Sequence, residues 1–172
     1  VDFGGESVVK LISEYENLLV VQTFSKSRSL AGERIGYAIG NPELIATLNA
    51  VKNSYNSYTV DSLAISLGVA SVKDEEYFRE TINKIIGTRE RLSAELKKLG
   101  FEVMPSQTNF LFVTHKSESA KEIFEYLKTR KVFIRYFALP KIDNYLRITV
   151  GTDKETDILL TEIRRFFDEK QA

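Results

Sequence analysis

A long amphipathic segment in the middle of the chain constrains the fold more than any other feature. From about Asp74 to Leu99, apolar side chains recur at the spacing of an α-helix, and Gly100 follows in the position of a C-terminal cap. The members of this apolar face are Phe78, Ile82, Ile85, Ile86, Leu92, Leu96 and Leu99. Because a helix of this length can bridge two lobes, the sequence predicts a chain built in two parts.

The residues before this helix predict two strands and two shorter helices. An apolar run within 17–24 is typical of a strand buried on both faces, as in a parallel sheet, and Lys26 follows its carboxyl end. Residues 35–39 predict a second strand, and Asn41 is the expected N-cap of the helix after it. A further helix is expected over residues 61–72.

The residues after the long helix alternate between strand and helix patterns. Strands are predicted over 101–104, 109–114, 132–136 and 145–150, and helices over 119–130 and 153–167. Each helix begins with the residues of a capping box, Ser119 with Glu122 and Thr152 with Glu155. The chain is therefore assigned to the α/β class, with a small α/β domain after about residue 100.

Composition excludes several classes of function. The 172-residue chain carries 24 basic and 24 acidic residues, so its net charge gives no reason to expect a nucleic acid or a membrane as partner. Without cysteine there is no disulfide, thiol nucleophile or thiolate metal site, and we predict no metal site. No apolar run approaches the roughly 20 residues that cross a bilayer. These observations favour a cytoplasmic protein that acts on a small molecule.

Four polar side chains near the end of the first strand suggest a cofactor site. Thr23, Ser25 and Lys26 lie close together, and Arg34 is eight residues after the lysine. A lysine amine can form an imine with an aldehyde, while hydroxyls and a guanidinium hold a phosphate. This combination predicts a phosphorylated aldehyde cofactor, for which pyridoxal 5'-phosphate is the obvious candidate. The alternative is an ordinary loop whose lysine is solvated.

Arg34 and its neighbours suit the phosphate end of such a cofactor. A planar guanidinium donates two parallel hydrogen bonds and keeps its charge, so arginine binds a phosphate better than lysine does. Gly32 and Gly36 have no side chains and are expected to let the backbone approach the anion closely.

The order of these motifs resembles the class I/II pyridoxal-phosphate-dependent aminotransferases. The matching segments are 23–26 (Thr-Phe-Ser-Lys), 30–32 (Leu-Ala-Gly), 34–43 (beginning Arg-Ile-Gly-Tyr), 106–110 (Ser-Gln-Thr-Asn-Phe) and 145–152 (Tyr-Leu-Arg-Ile-Thr-Val-Gly-Thr). Within that family, the chain is most similar to the histidinol-phosphate aminotransferases. Residues 27–29 (Ser-Arg-Ser) depart from the commonest family pattern, which leaves the substrate less well defined.

The resemblance implies a fold and a role for each candidate cofactor residue. The fold would be that of a fold-type-I PLP-dependent transferase, comprising the C-terminal part of the large domain and the small α/β domain. Lys26 would be the catalytic residue, binding the cofactor covalently and later moving a proton between substrate and cofactor. Thr23, Ser25 and Arg34 would hold the cofactor phosphate.

The resemblance also implies two substrate-binding residues in the second half of the chain. Arg147 would grip the anionic group of the substrate, either a carboxylate or a phosphate. Arg135, one strand earlier, would support phosphate recognition. Without the resemblance, the simpler interpretation is a pair of arginines in surface ion pairs.

Four further positions are singled out with their alternatives. Tyr55 and Asn56 resemble a pair that approaches the partner subunit's active site in the family's homodimers, although a plain surface loop fits equally well. Asn109 would fix the backbone near the substrate or form a structural turn. His115 is expected to be a solvated side chain with no catalytic part.

We expect the chain to be a C-terminal fragment, because it starts at Val1 without an initiator methionine and the resemblance begins after the family's Asp-Glu-Ala-Tyr segment. Residues 1–70 would end the large domain, 71–99 would form the connecting helix and 100–172 would form the small domain. In the intact homodimer, the expected reaction transfers an amino group between histidinol phosphate and 2-oxoglutarate in histidine biosynthesis, and the fragment alone would be inactive.

Three alternatives to this function stay open. The first is a non-catalytic fragment that folds and dimerises. The other two apply to the intact protein, which could be an aromatic amino acid aminotransferase or a threonine-phosphate decarboxylase.

Overall fold

A computed structural model describes residues 1–171 of the chain as a mixture of helices and antiparallel strands. The chain divides into two compact units. The first comprises Val1–Ile82, and the second begins at Asn83. The mixed helix and sheet content agrees with the predicted α/β class.

The helices and strands occur along the chain in the predicted order. The helices are α1 (Pro42–Tyr55), α2 (Ser62–Lys73), α3 (Glu75–Lys98), α4 (Ala120–Thr129) and α5 (Asp153–Gln171). The strands are β1 (Leu19–Thr23), β2 (Gly36–Gly40), β3 (Phe101–Val103), β4 (Phe110–His115), β5 (Arg135–Tyr136) and β6 (Leu146–Thr149). Two short 3₁₀ helices, which the sequence did not predict, occupy Val8–Ser13 and Ala31–Glu33.

In the first unit, β1 and β2 form an antiparallel pair in which Leu19 lies opposite Gly40 and Thr23 lies opposite Gly36. The prediction that β1 is buried on both faces of a parallel sheet is wrong, since Val21 is 70% exposed and β2 runs in the opposite direction. An apolar run favours a strand but does not specify the direction of its neighbour. The second predicted strand is confirmed, with each end shifted by one residue.

The two shorter helices of the first unit begin where the sequence predicts. Asn41 Oδ1 accepts a hydrogen bond from Glu43 N, and Asp61 Oδ1 accepts one from Ala64 N, each at 2.8 Å. These side chains satisfy backbone donors that the first helical turn leaves unpaired. The large apolar side chains that α2 exposes are Leu63, Ile65, Leu67, Val69 and Val72.

The long helix α3 is confirmed, and the change from the first unit to the second falls inside it. It ends before Gly100, whose φ of +88° is in the left-handed region that favours glycine. A Cβ on Gly100 would also lie 2.7 Å from Nε2 of His115. Both backbone conformation and packing therefore require glycine here. None of the described helices is both long and apolar enough to cross a membrane.

The second unit contains a four-stranded antiparallel sheet in the order β3-β4-β6-β5. Its core joins side chains of the sheet to those of α3, α4 and α5. The largest fully buried members are Leu92, Leu96, Leu111, Ile123, Leu127, Leu146, Ile148, Ile163 and Val113. Along β6, Leu146 and Ile148 are buried whereas Arg147 and Thr149 are exposed, so the strand directs Arg147 away from the core.

One of the two predicted capping boxes forms. Glu155 Oε2 accepts a hydrogen bond from Thr152 N at 2.7 Å, and Thr152 Oγ1 accepts one from Glu155 N at 3.3 Å. The prediction of a capping box at Ser119 is wrong, because the Ser119 side chain makes no capping hydrogen bond. Ala120 N instead donates to Asn144 Oδ1 at 3.0 Å, a partner 24 residues away that local spacing does not reveal.

Strand β5 is shorter than predicted, since only Arg135 and Tyr136 pair with β6. The residues before it serve the preceding helix instead. Val132 N donates to Leu127 O at 2.9 Å, and Lys131 adopts a φ of +61°. This arrangement closes the C-terminus of α4 and delays the start of the strand.

Candidate functional site

The candidate cofactor lysine lies in a short loop after β1, which we call the lysine loop (residues 24–30). Leu30 N donates to Phe24 O and Ser29 N donates to Lys26 O, both at 3.1 Å, so the loop closes on itself. Ser29 adopts a φ of +56°, as the tight turn requires. Lys26 is exposed, and its ammonium group has no hydrogen bond or ion pair with a described residue. The amine is therefore accessible to a ligand.

Two candidate phosphate ligands lie just before the lysine and contact each other. Thr23 Oγ1 donates to Ser25 Oγ at 2.7 Å and accepts from Ser25 N at 3.0 Å. Thr23 Oγ1 also lies 3.4 Å from the backbone oxygen of Ile35. The structure thus brings the two hydroxyls together at the carboxyl end of β1.

Arg34 lies at the same end of the β1–β2 pair, two residues before Gly36, which lies opposite Thr23. Its φ of +56° is uncommon for a residue other than glycine. One guanidinium nitrogen, Nη1, donates to Ala31 O at 2.8 Å, and the side chain is exposed. Its other donors bond to no described residue. An uncommon backbone conformation with open cationic donors is a feature of functional sites.

The two glycines near Arg34 differ in what the structure requires of them. A Cβ on Gly36 would lie 2.9 Å from the backbone oxygen of Gln22, whereas one on Gly32 would meet nothing within 4 Å. The close pairing of β1 with β2 therefore explains Gly36 without an anion. The prediction that these glycines open the backbone to a phosphate gains no support from this geometry.

Two side chains that the sequence analysis did not select fix the lysine loop. Ser27 is 7% exposed and donates to Oδ2 of Asp2. Arg28 Nη1 donates to Ser71 O at 2.6 Å, and the guanidinium carbon lies 4.0 Å from the ring centre of Phe78. These partners are distant in sequence, so no local pattern indicates them. The only signal is the departure from the common family pattern at these positions.

The two candidate substrate arginines are neighbours on the sheet of the second unit. Arg135 and Arg147 lie directly opposite each other on β5 and β6, so their side chains leave the same face. Both are exposed, and neither forms an ion pair with a described carboxylate. Like charges directly opposite each other repel, and an anion bound between them would relieve the repulsion.

Aromatic rings border the arginine pair. The ring centre of Phe137 lies 5.5 Å from the guanidinium carbon of Arg135 and 5.9 Å from that of Arg147. The ring of Phe110 lies 5.5 Å from Arg147. Cation–π contacts restrict where a guanidinium lies without using its N–H donors. The donors therefore remain available to an anion.

Asn109 lies immediately before β4, in a turn that a buried arginine supports. Its backbone oxygen accepts a hydrogen bond from Val150 N at 2.9 Å. Arg89, which is 5% exposed, donates from Nη1 to the backbone oxygen of Thr108 at 3.0 Å. Arg89 is not recognisable from the sequence, because one arginine in a highly charged helix gives no signal of burial. These contacts suit the structural-turn alternative for Asn109.

Tyr55 and Asn56 lie at the end of α1, where the chain leaves the helix. Tyr55 is 93% exposed, and the following Tyr58 is 94% exposed. Asn56 Oδ1 accepts a hydrogen bond from Tyr58 N at 3.1 Å, which shapes the turn after the helix. The two tyrosine rings are therefore open to solvent on the described chain.

His115 is a structural residue, and the expectation that it is simply solvated is wrong. Its Nε2 lies 3.0 Å from Leu99 O, and its Nδ1 accepts hydrogen bonds from Ser117 N at 3.3 Å and Glu118 N at 3.1 Å. Since Nδ1 accepts, the bonding pattern assigns the proton to Nε2. The ring thereby joins the end of α3 to the loop before α4.

Two carboxylates at the start of α5 carry charge that their surroundings stabilise. The side-chain hydrogen bond from Arg91, followed by one from Thr88, holds the pKa of Asp153 below its ordinary value. The backbone N–H and the hydroxyl of Thr152 lower the pKa of Glu155 in the same way. Both groups lie at a helix N-terminus, where negative charge is favoured. Their role is in the stability of the second unit.

The arrangement of these groups defines two kinds of chemistry. In the first unit, two hydroxyls contact each other at one strand end, and an exposed amine and an exposed guanidinium lie in the loops beside it; this donor set suits an aldehyde that also carries a phosphate. In the second unit, two neighbouring guanidiniums suit a carboxylate or a phosphate.

Comparison with known proteins places the chain in a family. The profile of the family "Aminotransferase class I and II" matches residues 2–163, and the chain belongs to this family. The histidinol-phosphate aminotransferase of Clostridium acetobutylicum is 56% identical over 164 residues, which are 95% of this chain and 47% of that protein. The chain thus spans about half the length of this curated relative. The resemblance stated from the sequence is confirmed.

Solved structures share the fold. The histidinol-phosphate aminotransferase of Sinorhizobium meliloti, in complex with pyridoxal-5'-phosphate, is 28% identical with a TM-score of 0.77, over 88% of this chain and 42% of that one. The L-threonine-O-3-phosphate decarboxylase of Porphyromonas gingivalis is 26% identical with a TM-score of 0.80, over 98% and 53%. The predicted fold class, α/β of the PLP-dependent transferase type, is confirmed by the family match and these likenesses.

Proposed function

We propose that the full-length protein is a pyridoxal-phosphate-dependent aminotransferase that transfers an amino group between histidinol phosphate and 2-oxoglutarate. The observation that carries this proposal is the lysine loop, in which an exposed amine follows two mutually bonded hydroxyls at a strand end. The 56% identity with the Clostridium acetobutylicum enzyme supports the choice of substrate. The products would be imidazole acetol phosphate and glutamate, within histidine biosynthesis.

The donor set of the first unit fits this cofactor. Lys26 supplies an accessible amine for an aldehyde, and Thr23, Ser25 and Arg34 supply hydroxyl and guanidinium donors for a phosphate. When bound, the cofactor supplies an electron-withdrawing ring that makes the proton on the substrate's α-carbon easier to remove. The absence of an ion pair at Lys26 among the described residues suits an amine that must react with the cofactor.

Lys26 has two tasks on this proposal. It holds the cofactor between turnovers, and its free amine then moves a proton at the substrate's α-carbon. Both tasks need the amine to change partners, which a lysine locked in an ion pair does poorly. Arg34 provides a fixed positive charge on the phosphate side, since a guanidinium stays protonated.

Arg135 and Arg147 would bind the anionic group of the substrate. A phosphate dianion placed between two facing guanidiniums is matched in charge and can accept hydrogen bonds from both. The flanking ring of Phe137 limits the positions that the two guanidiniums adopt. On this proposal, the same pair accepts a carboxylate of 2-oxoglutarate.

The proposal also covers the domain boundaries, the oligomeric state and the cellular compartment of the protein. Residues 1–70 would complete a large domain, 71–99 would connect it to the small domain, and 100–172 would form that small domain. The protein would act as a cytoplasmic homodimer with Tyr55 and Asn56 near the partner subunit's active site. Tyr55 is 93% exposed and the nearby Tyr58 is 94% exposed, so both rings are accessible to a partner subunit. The 172-residue chain alone would be inactive.

The direct test replaces the lysine in the full-length protein. Lys26→Ala is expected to lower glutamate formation from histidinol phosphate and 2-oxoglutarate by roughly 1,000-fold or more, as losses of covalent catalysts do. Lys52→Ala is the matched control, because Lys52 is an exposed lysine on α1 of the same unit. Turnover retained by the Lys26 variant would exclude the proposed mechanism.

A decarboxylase is the second candidate, and one comparison favours it. The structural likeness to the L-threonine-O-3-phosphate decarboxylase of Porphyromonas gingivalis covers 98% of this chain. The substrate in that enzyme's name also carries a phosphate, to which an arginine pair is suited. An assay that measures carbon dioxide released from threonine phosphate beside glutamate formed from histidinol phosphate separates the two. Glutamate formation from an unphosphorylated aromatic donor instead would indicate an aromatic aminotransferase.

A further inference from the structure

Ser27 connects the lysine loop to the β1–β2 pair through the carboxylate of Asp2 and the side chain of Gln22. Its buried hydroxyl donates to Oδ2 of Asp2. The two carboxylate oxygens of Asp2 also accept hydrogen bonds from Nε2 of Gln22, at 3.0 and 2.9 Å. Oε1 of Gln22 in turn accepts one from the hydroxyl of Tyr37 at 2.9 Å. The loop is therefore tied to β1 and, through Gln22, to β2.

Arg28 attaches the same loop to two helices. Its Nη1 donates to the backbone oxygen of Ser71 in α2 at 2.6 Å. Its guanidinium carbon lies 4.0 Å from the ring centre of Phe78 in α3 and 5.9 Å from that of Phe24 in the loop itself. A guanidinium can stack on a ring and donate hydrogen bonds in its own plane at the same time, which an ammonium group cannot. The anchor therefore depends on the shape of the side chain as well as its charge.

Lys26 comes directly before these two anchors and is the exposed member of the group. Its backbone oxygen accepts the hydrogen bond from Ser29 N, and the bond from Leu30 N to Phe24 O closes the loop around it. The backbone of Lys26 is thus held by its own hydrogen bond to Ser29 and by the bond that closes the loop. Only its side chain remains to be oriented by a ligand.

We infer that Ser27 and Arg28 are positioning residues that fix the backbone of Lys26 and so direct its amine to one place. The inference rests on the proposed role of Lys26 as the cofactor lysine. Neither side chain needs to touch a substrate, because each acts through the lysine beside it. A misplacement of about 1 Å can cost up to roughly 100-fold in the rate of an oriented reaction. Loss of an anchor is therefore expected to affect the reactivity of Lys26 more than the stability of the fold.

The first test uses the full-length protein and requires no added cofactor. Ser27→Ala and Arg28→Met are compared with the parent by amide hydrogen exchange, read by NMR at Ser29 N and Leu30 N. These two amides form the bonds that close the loop, so exchange is expected to quicken about tenfold or more when an anchor is lost. Amides of β1 and β2 are expected to change little.

The second test measures the amine itself in the full-length protein. The parent and both variants are treated with pyridoxal phosphate and borohydride, and the adducts are located by peptide mass. The share of adduct on Lys26 is expected to fall about tenfold or more in each variant, whereas the melting temperature falls by only about 2 to 4 °C, as the loss of one hydrogen bond predicts. Arg28→Lys keeps the charge without the planar fork and is expected to behave like Arg28→Met.

Matched controls separate positioning from a general effect of substitution. Arg79→Met removes an exposed arginine of α3 whose ion pair with Glu75 measures 3.0 Å. Ser66→Ala removes a hydroxyl of α2 that donates to the backbone oxygen of Ser62 at 2.8 Å. Both controls should leave the loop amides and the share of adduct on the lysine unchanged.

The outcomes distinguish this inference from the proposed function. No adduct on Lys26 in the parent would exclude the cofactor role itself. A normal parent adduct with an unchanged share in the anchor variants would overturn only the inference. An equal rise in exchange across β1, β2 and the loop would overturn it as well, since the anchors would then serve only stability.

Discussion

Replacement of Gly100 by alanine tests the junction between α3 and β3. The φ of +88° places a non-glycine residue in a left-handed conformation that costs about 1 to 2 kcal/mol. The added Cβ would lie 2.7 Å from Nε2 of His115, so the ring must move and its bond to Leu99 O is weakened. Loss of that bond costs about 1 kcal/mol. The free energy of unfolding should fall by roughly 2 to 3 kcal/mol in total.

The assay is urea unfolding of the 172-residue chain, followed by circular dichroism, with Gly87→Ala as the matched control. Gly87 lies within α3, and a Cβ there would meet nothing within 4 Å. Alanine at that position should therefore stabilise the helix by about 0.5 to 1 kcal/mol. The same chemical change thus has opposite effects at two glycines of one segment.

A double-mutant cycle isolates the contact with the histidine. In a His115→Ala background the obstacle to the new Cβ is gone, so Gly100→Ala should cost only its backbone term of about 1 to 2 kcal/mol. A Gly100→Ala variant as stable as the parent would refute the reasoning. So would a cost that is the same with and without His115.

Three further predictions concern the second unit. Arg89→Met should lower the free energy of unfolding by about 1 to 3 kcal/mol in urea, because the backbone oxygen of Thr108 loses its donor; an unchanged value would contradict this. Glu155→Ala should cost about 0.5 kcal/mol near pH 7 by loss of the capping box. Because its hydrogen bonds to Thr152 lower the pKa of Glu155, that stabilisation is complete above the ordinary value of 4.5 and disappears as pH falls through the lowered value, so the parent and the variant should converge in acid. Arg147→Met in the full-length protein should lower kcat/KM for the phosphorylated substrate by about 10- to 100-fold, and an unchanged ratio would remove this residue from the binding site.

The helices were predicted well because their signals are local. The N-cap at Asn41, the capping box at Thr152 and the glycine at position 100 are each read within a few residues of a helix end. The errors come from partners that are distant along the chain. Asn144 caps α4 in place of Ser119, and the neighbour of β1 is fixed by pairing that an apolar run does not encode.

In the candidate site, too, the local features were predictable and the contacts with distant residues were not. Thr23, Ser25 and Lys26 lie within four consecutive residues, so the meeting of the two hydroxyls at one strand end beside the lysine was predictable. Arg28 finds its partners 43 residues away in α2 and at Phe78 in α3, which no motif around the lysine reveals. The facing of the arginines on β5 and β6 likewise depends on strand register, which the sequence analysis did not assign.

The most direct test of the central claim is to locate the covalent adduct of pyridoxal phosphate in the native full-length protein. The protein is incubated with the cofactor, reduced with borohydride, digested and mapped by peptide mass. The account predicts one predominant adduct, on Lys26. A predominant adduct on another lysine, or none above the level of Lys52, would contradict it.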